Sequence, residues 1–278
     1  MNSLKDKVAF ITGAASKRGM GRAIALRLAG EGADIVVVDK FSAPQSHFPG
    51  DEGWGGLNAV VAEVKSLGKE ALAIVADTNN SKEVETAVAK ALERFGRIDI
   101  LVHCAAIRGP VTIPIIDLAE EDWRKVLDIN LTGSFLISKA IAKTMVTKGK
   151  GGKIVLVASL GGVKGMPGSA GYCASKFGVI GLVKTLALEL ASYKINVNAI
   201  SPGTVITNLR DSFHIEKGQA ESITIDEAIK RDYQKLTAGI PLGRVGTTEE
   251  IADLALFLVS DQSKYITGEA INITGGVS

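Results

Sequence analysis

The stretch VAFITGAASKRGMGRAIALRLAGEG, Val8 to Gly32, decides the fold. It opens on an apolar run of strand length, VAFIT, and breaks into a turn holding Gly13, Gly19 and Gly21. A helix-like run follows, with apolar positions at Ile24, Leu26 and Leu28, stopped by Gly30 and Gly32. A strand, a glycine turn and a helix in that order gather backbone N–H groups at the positive end of a helix dipole, which is how a phosphate is cradled. Glycine serves there because the backbone must turn tightly and approach the anion closely. The gap between Gly13 and Gly19 is long and carries Lys17 and Arg18, so an ordinary structural turn stays open on this stretch alone.

The same alternation runs through the chain. Strand candidates are VAFIT (8–12), DIVVVD (34–39), ALAIVAD (71–77), DILVHCA (99–105), KIVLVAS (153–159), NVNAIS (196–201) and AINIT (270–274). Most are near-continuous runs of Val, Ile, Leu and Ala, the pattern of strands buried on both faces of a parallel sheet. Helical patterns fall over 20–31, from Ser81 as cap to a glycine stop at Gly96, over 121–146 with a glycine at 133, over 172–191, and over 248–260 with Thr248 as cap. Alternating strands and helices predict an α/β fold: one doubly wound Rossmann-type domain over residues 1–278, with a seven-stranded parallel sheet flanked by helices. Two segments exceed a minimal repeat, the Gly/Pro/Ser-rich 40–56 and the region 208–239. Both follow strand ends, where ligands of open α/β sheets bind, so both are candidate ligand covers.

The composition is that of a soluble globular protein, and a net charge of +2 gives no reason to expect nucleic acid. Cys104 and Cys173 form no CxxC pair and the three histidines are scattered, so no metal site and no disulfide framework is expected. MNSLKDKVAF lacks the apolar core of a signal peptide, and no apolar run is long enough for a membrane span. A cytoplasmic location is expected.

Asp39 ends the second strand roughly 20 residues beyond the glycine turn, where a carboxylate binds the adenosine ribose hydroxyls of NAD. In GYCASKFG, Tyr172 and Lys176 stand four apart and share one face of a helix. An ammonium beside a phenol favours the phenolate, and a phenol so tuned can exchange a proton with an alcohol or ketone. Ser159 ends the strand KIVLVAS at the same edge, where it can hold a carbonyl oxygen. Each of these residues has an ordinary reading taken alone; their order along one parallel sheet is what binds them together.

These residues resemble the short-chain dehydrogenase/reductase family along essentially the whole chain. The likeness is carried by the TG…GxG loop, Asp77, Asn130 in DINLTGSF, Ser159, the Tyr172–Lys176 pair, SPGTVIT (201–207) and the PLGR…TGEAINITGG ending. It implies a catalytic set in which Tyr172 is the acid/base and Ser159 orients the substrate oxygen. Lys176 would bind the nicotinamide ribose and lower the tyrosine pKa. Asn130 would interrupt its helix and extend a proton relay from Lys176 to solvent. It implies a cofactor site of Gly13, Ser16, Arg18, Gly19, Met20, Gly21, Asp39, Asp77, Thr78 and Ala105, continued by Tyr172, Lys176, Pro202, Gly203, Val205 and Thr207. Asp77 would meet the adenine, and the Val205 backbone would read the carboxamide. It also implies a homotetramer, with the helices near 121–147 and 172–191 as interfaces, and a substrate lid over 208–239.

Three departures stand out. The family's usual NNAG reads His103-Cys104-Ala105-Ala106, which makes His103 a packed residue and Cys104 a small buried one. The glycine loop is two residues longer, and both extra segments are enlarged. For the cofactor, Asp39 would repel the 2′-phosphate of NADP, whereas Lys17, Arg18 and Lys40 would attract it. NAD is expected, because Asp39 would face the phosphate directly. The activity implied is hydride transfer between nicotinamide and the carbon of a small secondary alcohol or ketone. Alternatives are a carrier-linked 3-oxoacyl reductase, an enoyl-thioester reductase, for which the four-residue Tyr–Lys spacing is wrong, and a cofactor-binding protein without catalysis.

Overall fold

Each apolar run becomes a strand and every strand pairs in parallel. The computed structural model describes residues 3–44 and 51–278. The strands are β1 (Val8–Thr12), β2 (Asp34–Asp39), β3 (Ala71–Val75), β4 (Ile100–His103), β5 (Gly152–Val157), β6 (Ile195–Pro202) and β7 (Ala270–Ile273). Their order across the sheet is β3-β2-β1-β4-β5-β6-β7. In register, Thr12 pairs with Val38 on one side and with His103 on the other. All carboxyl ends therefore lie on one edge. Connections leave β1 and β4 in opposite directions, and the crevice that binds ligands in such sheets opens between them.

Helices cover both faces. α1 (Met20–Gly30), α2 (Leu57–Ser66) and α9 (Thr248–Val259) pack on one side, where Ile24, Leu28, Val60, Val64, Ala255 and Leu258 join the buried core. α3 (Ser81–Phe95), α5 (Gly133–Lys148) and α6 (Ala170–Leu190) pack on the other, through Val84, Ala91, Ile137, Ile141, Val179 and Val183. Among the described residues no helix is long and apolar enough to cross a membrane.

Several boundaries differ from the sequence expectation. β3, β4 and β5 each stop two residues early, so Asp77, Ala105 and Ser159 lie in loops just beyond their strands. α2 was not anticipated, although Leu57, Val60, Val61 and Val64 carry helical spacing. The stretch 121–146 is not one continuous helix. α4 (Glu120–Leu127) gives way to a π-helical turn, Asp128–Thr132, before α5 resumes. That turn holds Asn130, where an interruption was expected. The segment 208–239 is a 3-10 turn (Asn208–Arg210) followed by α7 (Asp211–Glu221) and α8 (Ile225–Thr237) rather than a loop. In the enlarged segment 40–56, residues 45–50 lie outside the described ones.

Two caps sit one residue earlier than expected. Asn80, not Ser81, caps α3, its side chain accepting from the N–H groups of Lys82 and Glu83, and Gly96 closes the helix with a left-handed φ of 72°. Thr247, not Thr248, caps α9 in a reciprocal box with Glu250. In both pairs the second residue already has helical backbone, so its side chain cannot reach back to the open N–H groups. Asn80→Ala is expected to cost about 1 kcal/mol of unfolding free energy, and Ser81→Ala less than about 0.5 kcal/mol. Urea unfolding of the two variants checks this; the opposite ranking would overturn the cap assignment.

Candidate active site

A cleft of about 600 Å³ opens at the carboxyl edge of the sheet. Fourteen of the residues singled out from the sequence line it: Gly13, Ser16, Gly19, Met20, Gly21, Asp39, Ala105, Ser159, Tyr172, Lys176, Pro202, Gly203, Val205 and Thr207. Arg18, Asp77, Thr78 and Asn130 are not in its walls.

At one end is the glycine turn. Gly13 takes a φ of +69°, and a Cβ there would sit 2.7 Å from the Ala105 nitrogen. A Cβ on Gly21 would overlap the Gly13 carbonyl. Only glycine lets β1, the start of α1 and the loop after β4 come this close. The N-terminus of α1 has no side-chain cap, since Gly19 offers none, so its first N–H groups are available to an anion. Asp39 accepts from the Ala15 N–H at 3.0 Å. Burial pushes its carboxyl up, opposed by backbone N–H groups of Ala15, Lys40 and Phe41. An uncapped helix start with a carboxylate in the cleft wall beyond it fits a dinucleotide.

Two of the three basic residues that argued for NADP, Arg18 and Lys40, are engaged by carboxylates. Arg18 pairs with Asp51 at 3.1 Å and Asp211 at 2.9 Å. Asn208 ties the same two acids together and accepts the Arg18 backbone N–H. Lys40 pairs with Asp77 at 2.8 Å, so the Asp77 carboxylate is turned to Lys40 and away from the cleft walls. Residues 51–56 dock onto the glycine turn, a contact not expected from the sequence. Trp54 donates its indole N–H to the Ala15 carbonyl, and the Arg22 guanidinium lies over its ring. A lone Trp and Asp in a Gly-rich segment were the available signal.

At the other end stand Ser159, Tyr172 and Lys176. Ser159 begins a short 3-10 turn, its hydroxyl accepting from the Gly161 N–H, and it lies in the same wall as the Tyr172 phenol, whose proton affinity it lowers. The Lys176 ammonium donates to the Val157 carbonyl at 2.8 Å and lies 5.8 Å from the tyrosine ring centre. The four-residue spacing predicts that the lysine pulls the phenol down. In the structure burial dominates and pushes Tyr172 up, with Ser159 and the Arg108 charge pulling back. Burial also lowers Lys176 itself, to about 8. The lysine stays mostly charged at neutral pH, but its ammonium is bound to the Val157 carbonyl, and burial outweighs any pull on the phenol.

Asn130 is buried and serves as a brace. Its side chain accepts from the Ile107 N–H and donates to the Ile107 carbonyl, both at 2.9 Å, and donates to Ser175. Thr78 is buried against Gly133 of α5. His103 is packed as expected, 2.7 Å from the Thr12 hydroxyl. Thr12 Oγ1 already accepts from the Cys104 and Ala105 N–H groups, so its own proton goes to His103 Nδ1. The ring proton then lies on Nε2, which has no partner among the described residues. Cys104 is half-buried and lines the cleft rather than being enclosed in the core, and burial of its thiol pushes it up to about 12. Among the described residues no cluster of acids, histidines and cysteines could hold a metal.

Comparison with known proteins supplies the family. A family model described as enoyl-(acyl carrier protein) reductase matches residues 13–278. The chain is 39% identical to a 3-oxoacyl-[acyl-carrier-protein] reductase of Synechocystis, covering 100% of this chain and 99% of the relative. It is 38% identical to the trans-4-hydroxycyclohexanecarboxylate dehydrogenase of Sinomonas cyclohexanicum, covering 98% and 92%. Among solved structures, carveol dehydrogenase from Mycobacterium avium in complex with NAD superposes with a TM-score of 0.85 at 33% identity, over 99% of each chain.

Folded His103 titrates at about 3, against 6.5 for a free imidazole. Between those values the unfolded chain binds one more proton, so stability falls as pH drops below 6.5. His103→Asn removes that component. Between pH 7.5 and 5.5 the wild type is expected to lose about 1 kcal/mol more unfolding free energy than the variant. Urea titrations at the two pH values check it, and equal losses would overturn the buried neutral imidazole.

Proposed function

The chain belongs to the short-chain dehydrogenase/reductase family and is an oxidoreductase of it; on that premise we propose that it interconverts a secondary alcohol and a ketone with NAD. The observation that carries the proposal is the wall shared by Ser159, Tyr172 and Lys176, at the far end of the cleft from an uncapped helix start. The bound nicotinamide supplies or accepts the hydride. In the reducing direction Tyr172 gives its Oη proton to the substrate oxygen; in the oxidising direction it takes that proton back. Ser159 Oγ, in the same wall as the phenol, would hold the same oxygen in line. The raised pKa of Tyr172 keeps it protonated and ready as an acid until a bound cation or ligand rebalances the site.

Gly13, Ser16, Gly19, Met20 and Gly21 would hold the pyrophosphate at the start of α1, and Asp39 the adenosine ribose. Ala105, Tyr172, Lys176, Pro202, Gly203, Val205 and Thr207 would surround the nicotinamide half. Arg18, Asp77 and Thr78 would support this from outside the walls, Arg18 through its pairs to Asp51 and Asp211. A relay from Lys176 toward Asn130 completes the proton path, with the Asn130 side chain bracing Ile107. NAD is favoured over NADP because Asp39 would face the ribose while Arg18 and Lys40 are paired with their own acids. The solved relative in complex with NAD supports the same choice.

A carrier-linked 3-oxoacyl reductase is the second reading, supported by the Synechocystis relative. We further infer that residues 1–278 work as one unit, in the cytoplasm, as a homotetramer. The exposed Phe135 on α5 and the exposed Phe177 and Leu188 on α6 suit an interface on those helices.

Tyr172→Phe is expected to lower turnover at least about 100-fold while NAD still binds, the span of general acid–base catalysis. A screen of secondary alcohols, cyclic ketones and 3-oxoacyl thioesters at the reduced-nicotinamide absorbance measures it. Wild-type turnover in that variant would defeat the mechanism. Asp39→Ala is expected to shift the kcat/KM ratio toward NADP by about tenfold or more. A wild type that already prefers NADP would defeat the role of Asp39.

A further inference from the structure

We propose that Arg108 forms an anion subsite and that the alcohol or ketone handled in the cleft carries a carboxylate. This rests on the function proposed above. The chain has ten arginines. Nine meet a carboxylate at 2.9 Å or closer: Arg18, Arg22, Arg27, Arg94, Arg97, Arg124, Arg210, Arg231 and Arg244. Arg108 makes no ion pair and no hydrogen bond among the described residues, yet it is half-buried in the cleft wall with Ser159 and Tyr172. Of the charges that act on it, Arg210 repels it, and Asp232, which attracts it, is already paired with Arg210 and His214. A guanidinium does not lose its proton in a protein, so the charge stays and calls for a counter-ion from outside.

The position is also rigid. Asn130 grips Ile107 by both backbone groups. Gly109 takes a φ of +68°, packed so that a Cβ would overlap Val126 of α4. The backbone on either side of Arg108 is thus set before any ligand arrives, which spares the ordering cost on binding. A planar guanidinium so held matches a carboxylate through two parallel hydrogen bonds. The phosphates of a dinucleotide belong to the glycine turn at the opposite end of the cleft. A thioester near the reacting carbon is neutral and would leave Arg108 unanswered. The carboxylate would therefore lie on the substrate itself, within a guanidinium's reach of the oxygen held by Tyr172.

The test uses the full-length protein loaded with NAD and two isosteric probes, cyclohexanecarboxylate and cyclohexanecarboxamide, with Kd measured by isothermal titration calorimetry. The wild type is expected to bind the acid about tenfold or more tightly over the amide, the range of a charge-assisted hydrogen bond. In Arg108→Gln that ratio falls toward one, and in Arg108→Lys it is intermediate. A wild-type ratio near one, or a ratio unchanged in Arg108→Gln, overturns the subsite. Reduction of neutral ketones together with a ratio near one defeats the subsite alone. Failure to turn over anything in the substrate screen defeats the function, while the acid-to-amide ratio still reads the subsite.

Discussion

Parallel pairing is the constraint on which the rest of the molecule depends. A parallel ladder requires each chain to cross back over the sheet before pairing again, so every strand ends on the same edge. Thr12, Asp39, His103, Val157 and Pro202 consequently stand together though they are far apart in sequence. The residues that follow them inherit that edge: Gly13 after β1, Ala105 after β4, Ser159 after β5 and Gly203 after β6. The site is a consequence of topology first and of side-chain chemistry second.

The core strands were legible in the sequence because burial on both faces writes a simple pattern, and all seven appear where apolar runs occur. The site was legible for the same reason, since strand ends and glycine turns announce themselves. Terminal detail was not. Adjacent polar pairs such as Asn80–Ser81 and Thr247–Thr248 both satisfy a capping preference, and only backbone geometry selects between them. The helix α2 was hidden behind a Gly/Pro-rich segment that reads as loop. The partners of Arg18 were hidden more deeply. Asp51, Asn208 and Asp211 come from two enlarged segments whose meeting over the glycine turn has no local signature.

That meeting has an energetic logic. Asp51 is almost completely buried, and so is Asp211. Buried carboxylates are tolerated only when paired and hydrogen-bonded, and Arg18 with Asn208 provides both. Removal of one partner would strand a charge, so the glycine turn, the segment around Asp51 and the start of α7 are energetically one unit. Its position joins the glycine-turn end of the cleft to the helices expected to form the substrate lid.

The tyrosine needs the same treatment, because its environment and its helical neighbour act in opposite directions. Spacing alone places an ammonium beside a phenol and predicts a lowered pKa. Burial of both groups reverses the sign for Tyr172 and weakens the lysine as a cation. Among the described residues the cation that acts on the phenol is Arg108, which already pulls it down, and a bound cofactor's positive charge would add to that. A guanidinium that polarises the phenol when alone is partly neutralised once an anion pairs with it. Substrate binding and proton affinity at Tyr172 are therefore linked: an anion at Arg108 raises the phenol's hold on its proton. By reciprocity the protonated tyrosine favours the anion, and a phenolate disfavours it.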